Sequence, residues 1–128
     1  MLTHDDIRRI ALALPGTIEE PGAQFAIGVP VKGKVKGLVW AWLERVHPKK
    51  ARVPSDAVVA VRVSDLVEKD LLINAEPHKY FTEAHYNGYP AVLVRLAEVS
   101  ADDIEPLLRT GWRSIAESAP RTSRKKRG

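Results

Sequence analysis

Hydrophobic positions recur at helical spacing in three stretches of the chain and at strand spacing in five others. Ile7, Ile10, Ala11 and Leu14 form the first helical stripe. Thr3 stands where an N-cap belongs, Asp6 follows three residues on in the manner of a capping box, and Pro15-Gly16 stops the pattern, which predicts a helix over 4–14. Phe25 to Val31 reads as a strand that Gly28 and Pro30 weaken, Pro30 arguing for an edge or a bulge because it lacks a ladder N–H. Lys32-Gly33-Lys34 supplies a hairpin turn. The next strand, Leu38 to Leu43, puts Leu38, Trp40 and Trp42 on one face and Val39, Ala41 and Leu43 on the other. Both faces are apolar, so this strand is expected to be central and covered on both sides.

Val46 to Asp56, with two prolines and several cations, reads as a loop, and Val58 to Val63 as a β-branched strand. Ser64 caps a predicted helix from Asp65 to about Asn74, whose buried side is expected to come from Leu66, Val67, Leu71 and Ile73. Tyr80 to Tyr86 alternates imperfectly as a short strand, Asn87-Gly88 is a hairpin dipeptide, and Ala91 to Leu96 is the fifth strand. Pro106 conflicts with a helix already running, so 101–104 is read as a separate turn. The last helix then starts at Glu105, with Leu107, Leu108, Gly111, Trp112 and Ile115 on one face. The order α-β(3)-α-β(2)-α, with short turns between neighbouring strands, predicts an α+β fold in which helices pack on an antiparallel sheet.

Length fits this reading. The 128 residues suit one domain, taken as 1–118, followed by a solvated basic tail over 119–128. There is no cysteine, which excludes disulfides, thiolate nucleophiles and Cys-based metal sites. No signal-peptide pattern opens the chain and no apolar run spans a membrane, so a cytoplasmic protein without membrane attachment is expected. The net charge of +4 resolves into −2 over residues 1–28, +6 over 29–53, −5 over 54–118 and +5 over the tail. The body is therefore close to neutral but internally polarised.

The segment Pro77-His78-Lys79-Tyr80-Phe81-Thr82-Glu83-Ala84-His85-Tyr86-Asn87-Gly88-Tyr89-Pro90 resembles the signature of MmcQ/YjbR-like proteins. So do Ala91 to Leu96, Leu107 to Trp112, and the opening Leu14-Pro15-Gly16-Thr17-Ile18-Glu19-Glu20; together the resemblance covers residues 3–118. It implies a compact α/β domain similar in fold to CyaY and to secretion chaperones. It also implies DNA binding through a double-wing motif, and no catalytic residues. The chain departs from the common pattern in VPVKGKVKG (29–37), which is longer and more basic than the family's first hairpin, and in the basic tail.

Lys32, Lys34 and Lys36 are the leading nucleic-acid candidates, because lysines two apart on a strand share a face that can follow a phosphate backbone. Equally, lysines on an edge strand discourage edge-to-edge pairing. Arg45, Lys49, Lys50 and Arg52 extend the surface if their loop folds beside the hairpin, and Arg124, Lys125, Lys126 and Arg127 add a salt-sensitive polyanion contact. His78 and His85, seven apart around Tyr80, Glu83 and Tyr86, fix no metal spacing. His85 and Tyr86 are read as satisfying hydrogen bonds. Trp40, Trp42 and Trp112 are read as core, and Tyr80, Tyr86 and Tyr89 as better candidates for an exposed aromatic patch. There is no phosphate-binding glycine loop and no nucleophile elbow around a serine.

The expected function is thus a small non-enzymatic DNA-binding protein making non-specific phosphate contacts, a monomer that needs no cofactor. The alternative is a protein-interaction or chaperone-like module that docks a partner protein on its exposed sheet or on the Tyr80–Tyr89 hairpin. One stripe formed by the basic residues of 29–53 favours the first, and scatter counts against it.

Overall fold

In the computed structural model, which describes residues 1–22, 24–44 and 51–118, the chain runs α1 (His4–Leu12), β1 (Ile18–Glu19), β2 (Ala26–Val31), β3 (Lys34–Glu44), β4 (Val53–Arg62), α2 (Leu66–Ala75), β5 (Tyr80–Phe81), β6 (Ala91–Arg95) and α3 (Ala101–Ser118). Short 3₁₀ turns occupy Ala84–Tyr86 and Leu96–Glu98. The strands form one antiparallel sheet in the order β1-β2-β3-β4-β6-β5. The expected α+β class is therefore what the chain adopts, with one extra two-residue strand, β1.

All three helices lie on one face. Ile7 and Ala11 of α1, Ile104, Leu107, Leu108 and Ile115 of α3, and partly Leu72 and Ile73 of α2 pack on Ile27, Val39, Ala41, Val59, Val61, Val92 and Val94 of the sheet. The other face carries a smaller cluster. Val58, Ala60 and Leu93 are buried there beneath Trp40, Trp42, Phe81 and Tyr86. The central strand β3 thus has helices on one side and mainly the segment between β5 and β6 on the other.

Strict alternation along β3 fails at one point. Ile27 pairs with Val39 but Gly28 pairs with Gly37, which leaves Leu38 as an extra residue. Leu38 therefore turns to the helix face beside Val39, and both are fully buried, rather than joining Trp40 and Trp42. A second irregularity lets β4 begin at Val53, well before the predicted Val58. The Ser55 hydroxyl accepts the N–H groups of Ala57 and Val58 at 3.1 Å, and so provides for backbone donors at that bend.

Helix ends follow their caps. Thr3 and Asp6 form the full capping box, with Thr3 N–H to Asp6 Oδ2 at 2.9 Å and Asp6 N–H to Thr3 Oγ1 at 3.2 Å. The helix stops at Leu12, two residues short of the predicted end. Asp65, not Ser64, caps α2 by accepting from Glu68 N–H at 2.9 Å. Helix α3 runs unbroken through Pro106, contrary to the predicted turn at 101–104. Ser100 precedes its first turn and donates its N–H to Asp103 Oδ2 at 2.9 Å. Pro106 is exposed, as is Asp102 one turn back, so water can replace the missing donor to the Asp102 carbonyl.

The predicted buried side of α2 is largely wrong. Leu66, Val67 and Leu71 are exposed, Val67 at 67% and Leu71 at 65%, while Lys69 is only 3% exposed. Apolar and polar residues are spread around α2 rather than gathered on opposite sides, which gives periodicity little to read, and the position turned inward is decided by the carbonyls that Lys69 reaches.

Helix α3 crosses the sheet from end to end. Near its start Asp103 meets Lys79, whose carbonyl accepts from Arg95 N–H at the end of β6. Further along, Gly111 lies against the end of β4. A Cβ there would collide with the carbonyl oxygen of Arg62 and touch Leu38 Cδ1 at 3.1 Å. The C-terminal turns of α3 therefore lie toward the end of the sheet that carries the β2–β3 turn.

Candidate nucleic-acid interface

The predicted hairpin turn at Lys32-Gly33-Lys34 forms with two residues, Lys32 (φ 50°) and Gly33 (φ 79°), both at positive φ, and Lys34 already belongs to β3. Lys34 and Lys36 pair with Val31 and Val29, two residues that pack toward the helix-side core. The two lysines hence share the helix-bearing face, and both are exposed, as is Lys32. None of the three makes a side-chain hydrogen bond or ion pair among the described residues. Arg113, on the C-terminal half of α3, is likewise unpaired. It lines an open groove of about 350 Å³ with Ser64, Thr110, Ser114 and Glu117. Arg109 is also unpaired but sits in a different hollow with Arg9 and Glu105.

Cations elsewhere are engaged. Arg8 bonds Glu19 at 2.8 Å and pairs with Asp5. Lys79 bridges Glu76 at 3.0 Å and Asp103 at 3.1 Å; these bonds hold its ammonium above its ordinary pKa. Arg95 lies 4.1 Å over the Phe81 ring and donates to the Pro77 carbonyl at 3.1 Å.

Arg52 does not join the hairpin lysines. It precedes β4 at the opposite end of β3, where Glu44 pairs with Val53, and the ten strand rises from Lys34 to Glu44 span about 33 Å. Its guanidinium donates to the Leu43 carbonyl at 3.0 Å and meets His85 Nδ1 at 3.2 Å. The surface was expected to extend to Arg52 only if its loop folds beside the hairpin, and Arg52 does not lie there: Lys32, Lys34 and Lys36 lie at one end of the sheet and Arg52 at the other, a scatter that counts against the nucleic-acid reading. Arg45, Lys49 and Lys50 fall outside the described residues, as do Arg124, Lys125, Lys126 and Arg127. The chain leaves α3 at Ser118 and continues into that basic segment.

The sheet's second face carries a network that the sequence did not reveal. Trp40 Nε1 donates to the Tyr86 hydroxyl at 3.0 Å, and Trp42 Nε1 to Glu83 Oε2 at 3.4 Å. Trp40 meets Tyr89 edge-on with centroids 6.5 Å apart, and Tyr89 meets Tyr86 at 6.1 Å. Burial pushes the Tyr86 hydroxyl up from its usual pKa. For Glu83, burial acts upward, but bonds from His85 N–H and the Trp42 indole and the charges of His85 and Arg52 outweigh it and keep the carboxyl below its usual value.

The Tyr80–Tyr86 strand is confined to Tyr80–Phe81, followed by the 3₁₀ turn. Asn87-Gly88 is not a two-residue hairpin. Asn87 takes φ −64° and ψ 131°, Gly88 takes φ 79°, and Tyr89 N–H closes on the Tyr86 carbonyl at 3.0 Å, which makes a type II turn. Lys69 clamps that turn from below, its ammonium donating to the carbonyls of Tyr86 and Tyr89, the latter at 2.9 Å. Burial draws the Lys69 pKa downward against the opposing pull of Asp70.

Of the remaining candidates, His85 is exposed and bonded to Arg52, and His78 makes no bond among the described residues. Among the described residues no group of His, Asp and Glu could hold a metal ion. Trp112 packs on the core and donates to the Pro15 carbonyl at 2.8 Å. Tyr80 is buried, so only Tyr86 and Tyr89 of the three tyrosines belong to the aromatic patch. No described helix is long and apolar enough to cross a membrane.

These features define an open-faced α+β domain with helices on one side of a six-stranded sheet. By sequence the chain belongs to the same family as a set of uncharacterized proteins. It is 40% identical over 112 residues to uncharacterized protein Rv2570 of Mycobacterium tuberculosis H37Rv, to MT2646 of the CDC 1551 strain and to Mb2600 of Mycobacterium bovis. Each match covers 88% of this chain and 87% of the relative. In fold it is similar to the crystal structure of Deinococcus radiodurans protein DR2400, a DUF419 domain. That likeness has a TM-score of 0.71 at 21% identity and covers 98% of this chain and 88% of the other. No family model matches the sequence.

Proposed function

We propose that this is a cytoplasmic, MmcQ/YjbR-like nucleic-acid-binding domain that grips the phosphate backbone with the hairpin end of its sheet. The observation that carries the reading is that Lys32, Lys34 and Lys36 project from the β2–β3 hairpin with no acidic partner among the described residues. A cation already bonded internally must give up that bond before it can displace the counterions condensed on a nucleic acid; an unpaired one need not. The helix that bears unpaired Arg113 runs toward the same end before the chain enters its basic segment. Fluorescence anisotropy with a labelled duplex at two salt concentrations tests this. Binding at low salt that weakens steeply with added salt, and that drops in Lys34→Glu/Lys36→Glu, supports the reading. No binding at low salt, or no change in that variant, sinks it.

A second reading rests on α2, where Val67 and Leu71 lie one turn apart and are about two-thirds exposed. Apolar side chains so placed suit a protein partner. Nuclease-resistant capture of one defined partner, lost in Val67→Ser/Leu71→Ser, favours this reading over the first.

A further inference from the structure

A trough runs between α2 and α3. Its α3 wall carries Asp102, Pro106, Thr110, Arg113 and Glu117, which share one side of the helix at three- and four-residue spacing. Its other wall carries Ser64, just before α2, and Glu68 and Leu72, each four residues further on. The trough is made of two open hollows of about 350 and 290 Å³ that meet at Thr110. Glu68 ties them together on the α2 side, where its Oε1 accepts the Ser64 N–H and hydroxyl, both at 2.7 Å. Leu72, Pro106 and Leu107 give the Asp102 half an apolar lining.

Three carboxylates border this apolar lining without a cation. Glu68, Asp102 and Glu117 form no ion pair among the described residues, and Asp102 and Glu117 are exposed. Asp103 also lines the trough but is held by Lys79 and by the Ser100 N–H. Against them stands Arg113, the single cation among the lining residues.

The chain itself carries the complement. Beyond Ser118, where α3 ends beside Glu117, come Arg121, Arg124, Lys125, Lys126 and Arg127 with no acidic residue among them. Length suits the return path. The fifteen helical rises from Asp102 to Glu117 span about 22 Å, and the nine residues from Ser118 to Arg127 reach about 30 Å when extended. Chemistry suits it too, since Arg and Lys stems can lie on leucine and proline while their charged heads reach a bordering carboxylate.

We infer that the basic segment 119–128 folds back into the α2–α3 trough of its own chain, with its cations on Glu117, Glu68 and Asp102. This goes beyond the hairpin reading and does not depend on it. Docked there, the segment has to leave its carboxylates before its charges can serve a polyanion.

Paramagnetic relaxation on the full chain tests the contact. The sequence has no cysteine, so Ser123→Cys accepts one nitroxide between Arg121 and Arg124. At low salt the nitroxide should selectively broaden the amide signals of Glu68, Leu72 and Thr110 and spare Ile18 in β1, at the far border of the sheet. The broadening should vanish at about 1 M salt, where the screening length falls to about 3 Å. It should vanish also in Glu68→Gln/Asp102→Asn/Glu117→Gln, which keeps the Glu68 oxygen that accepts from Ser64. A second variant, Arg124→Gln/Lys125→Gln/Lys126→Gln/Arg127→Gln, leaves the trough untouched and should lose the broadening as well. The inference is overturned if no trough signal broadens, if another surface broadens instead, or if the effect survives either set of substitutions. Broadening that arises when nitroxide-bearing chains are mixed with isotope-labelled chains lacking it would assign the trough to a second copy, and overturns the contact within one chain.

Discussion

Lys79 and Lys36 carry the same ammonium group at opposite ends of one sheet, and their surroundings differ completely. Lys79 sits between Glu76 and Asp103, and the neighbouring cations Arg95 and Arg52 are held by a ring, by carbonyls or by a histidine. Lys36, with Lys32 and Lys34, faces solvent and has no partner among the described residues. Basic residues at the first end hold the fold together; those at the second are open to a ligand. Segment charge alone could not separate the two, because Arg52 and Lys36 were counted in the same +6 stretch.

The comparison can be broken by disturbing what places α3 at the hairpin end. Gly111→Val drives a branched side chain into the Arg62 carbonyl. It should cost about 3 kcal/mol, read as a lower Tm and a lower urea midpoint. Lys69→Met removes the donor to the Tyr86 and Tyr89 carbonyls and should cost about 2 kcal/mol. Its linkage has a definite sign. The folded pKa of Lys69 lies below the unfolded value, so between the two the unfolded chain binds more protons. Wild-type stability should therefore rise with pH through the window below about 10.4, relative to the methionine variant. A flat difference across that range breaks the account of a buried ammonium.

A smaller effect sharpens the contrast directly. Lys34→Glu/Lys36→Glu should lose about ten-fold in affinity for nucleic acid, or about 1.4 kcal/mol, with an unchanged Tm. Arg52→Gln at the other end should leave that affinity as it is, measured by the same anisotropy titration. Asp103→Asn should cost about 1 kcal/mol at pH 7, because the Ser100 N–H and then Lys79 hold the carboxylate below its usual pKa. A depressed carboxylate stabilises above its unfolded pKa and loses that contribution as pH falls through the folded value. The difference between wild type and Asp103→Asn should thus shrink on acidification below about pH 3.9. Smallest of all, Val67→Ser/Leu71→Ser should change stability by less than about 0.5 kcal/mol, since both side chains already face water.

Local chemistry was legible in the sequence wherever it acts within a few residues. The Thr3–Asp6 box, the Lys32-Gly33 turn and the β-branched run of β4 formed as their side chains dictate. Features that depend on distant strands were not legible. Leu38 changes face because Gly28 pairs past it, and nothing near Leu38 announces that bulge. The inward turn of Lys69 depends on carbonyls 17 and 20 residues away. The division of the basic candidates follows from the length of β3, which runs to Glu44 and carries the chain to the other end before Arg52 returns. Pro106 misled because proline was weighed against an ideal helix interior, whereas here it occupies an exposed position.

Both outer strands of the sheet, β1 and β5, are two residues long. Past β1, strand β2 is the border of the sheet, and Pro30 sits in that stretch. A ribbon that ends in such stubs offers little template for adding another molecule's backbone, so crowding many copies onto one length of polymer need not seed fibres. If the proposed nucleic-acid ligand gathers copies side by side, short borders are a safeguard against growth in the wrong dimension.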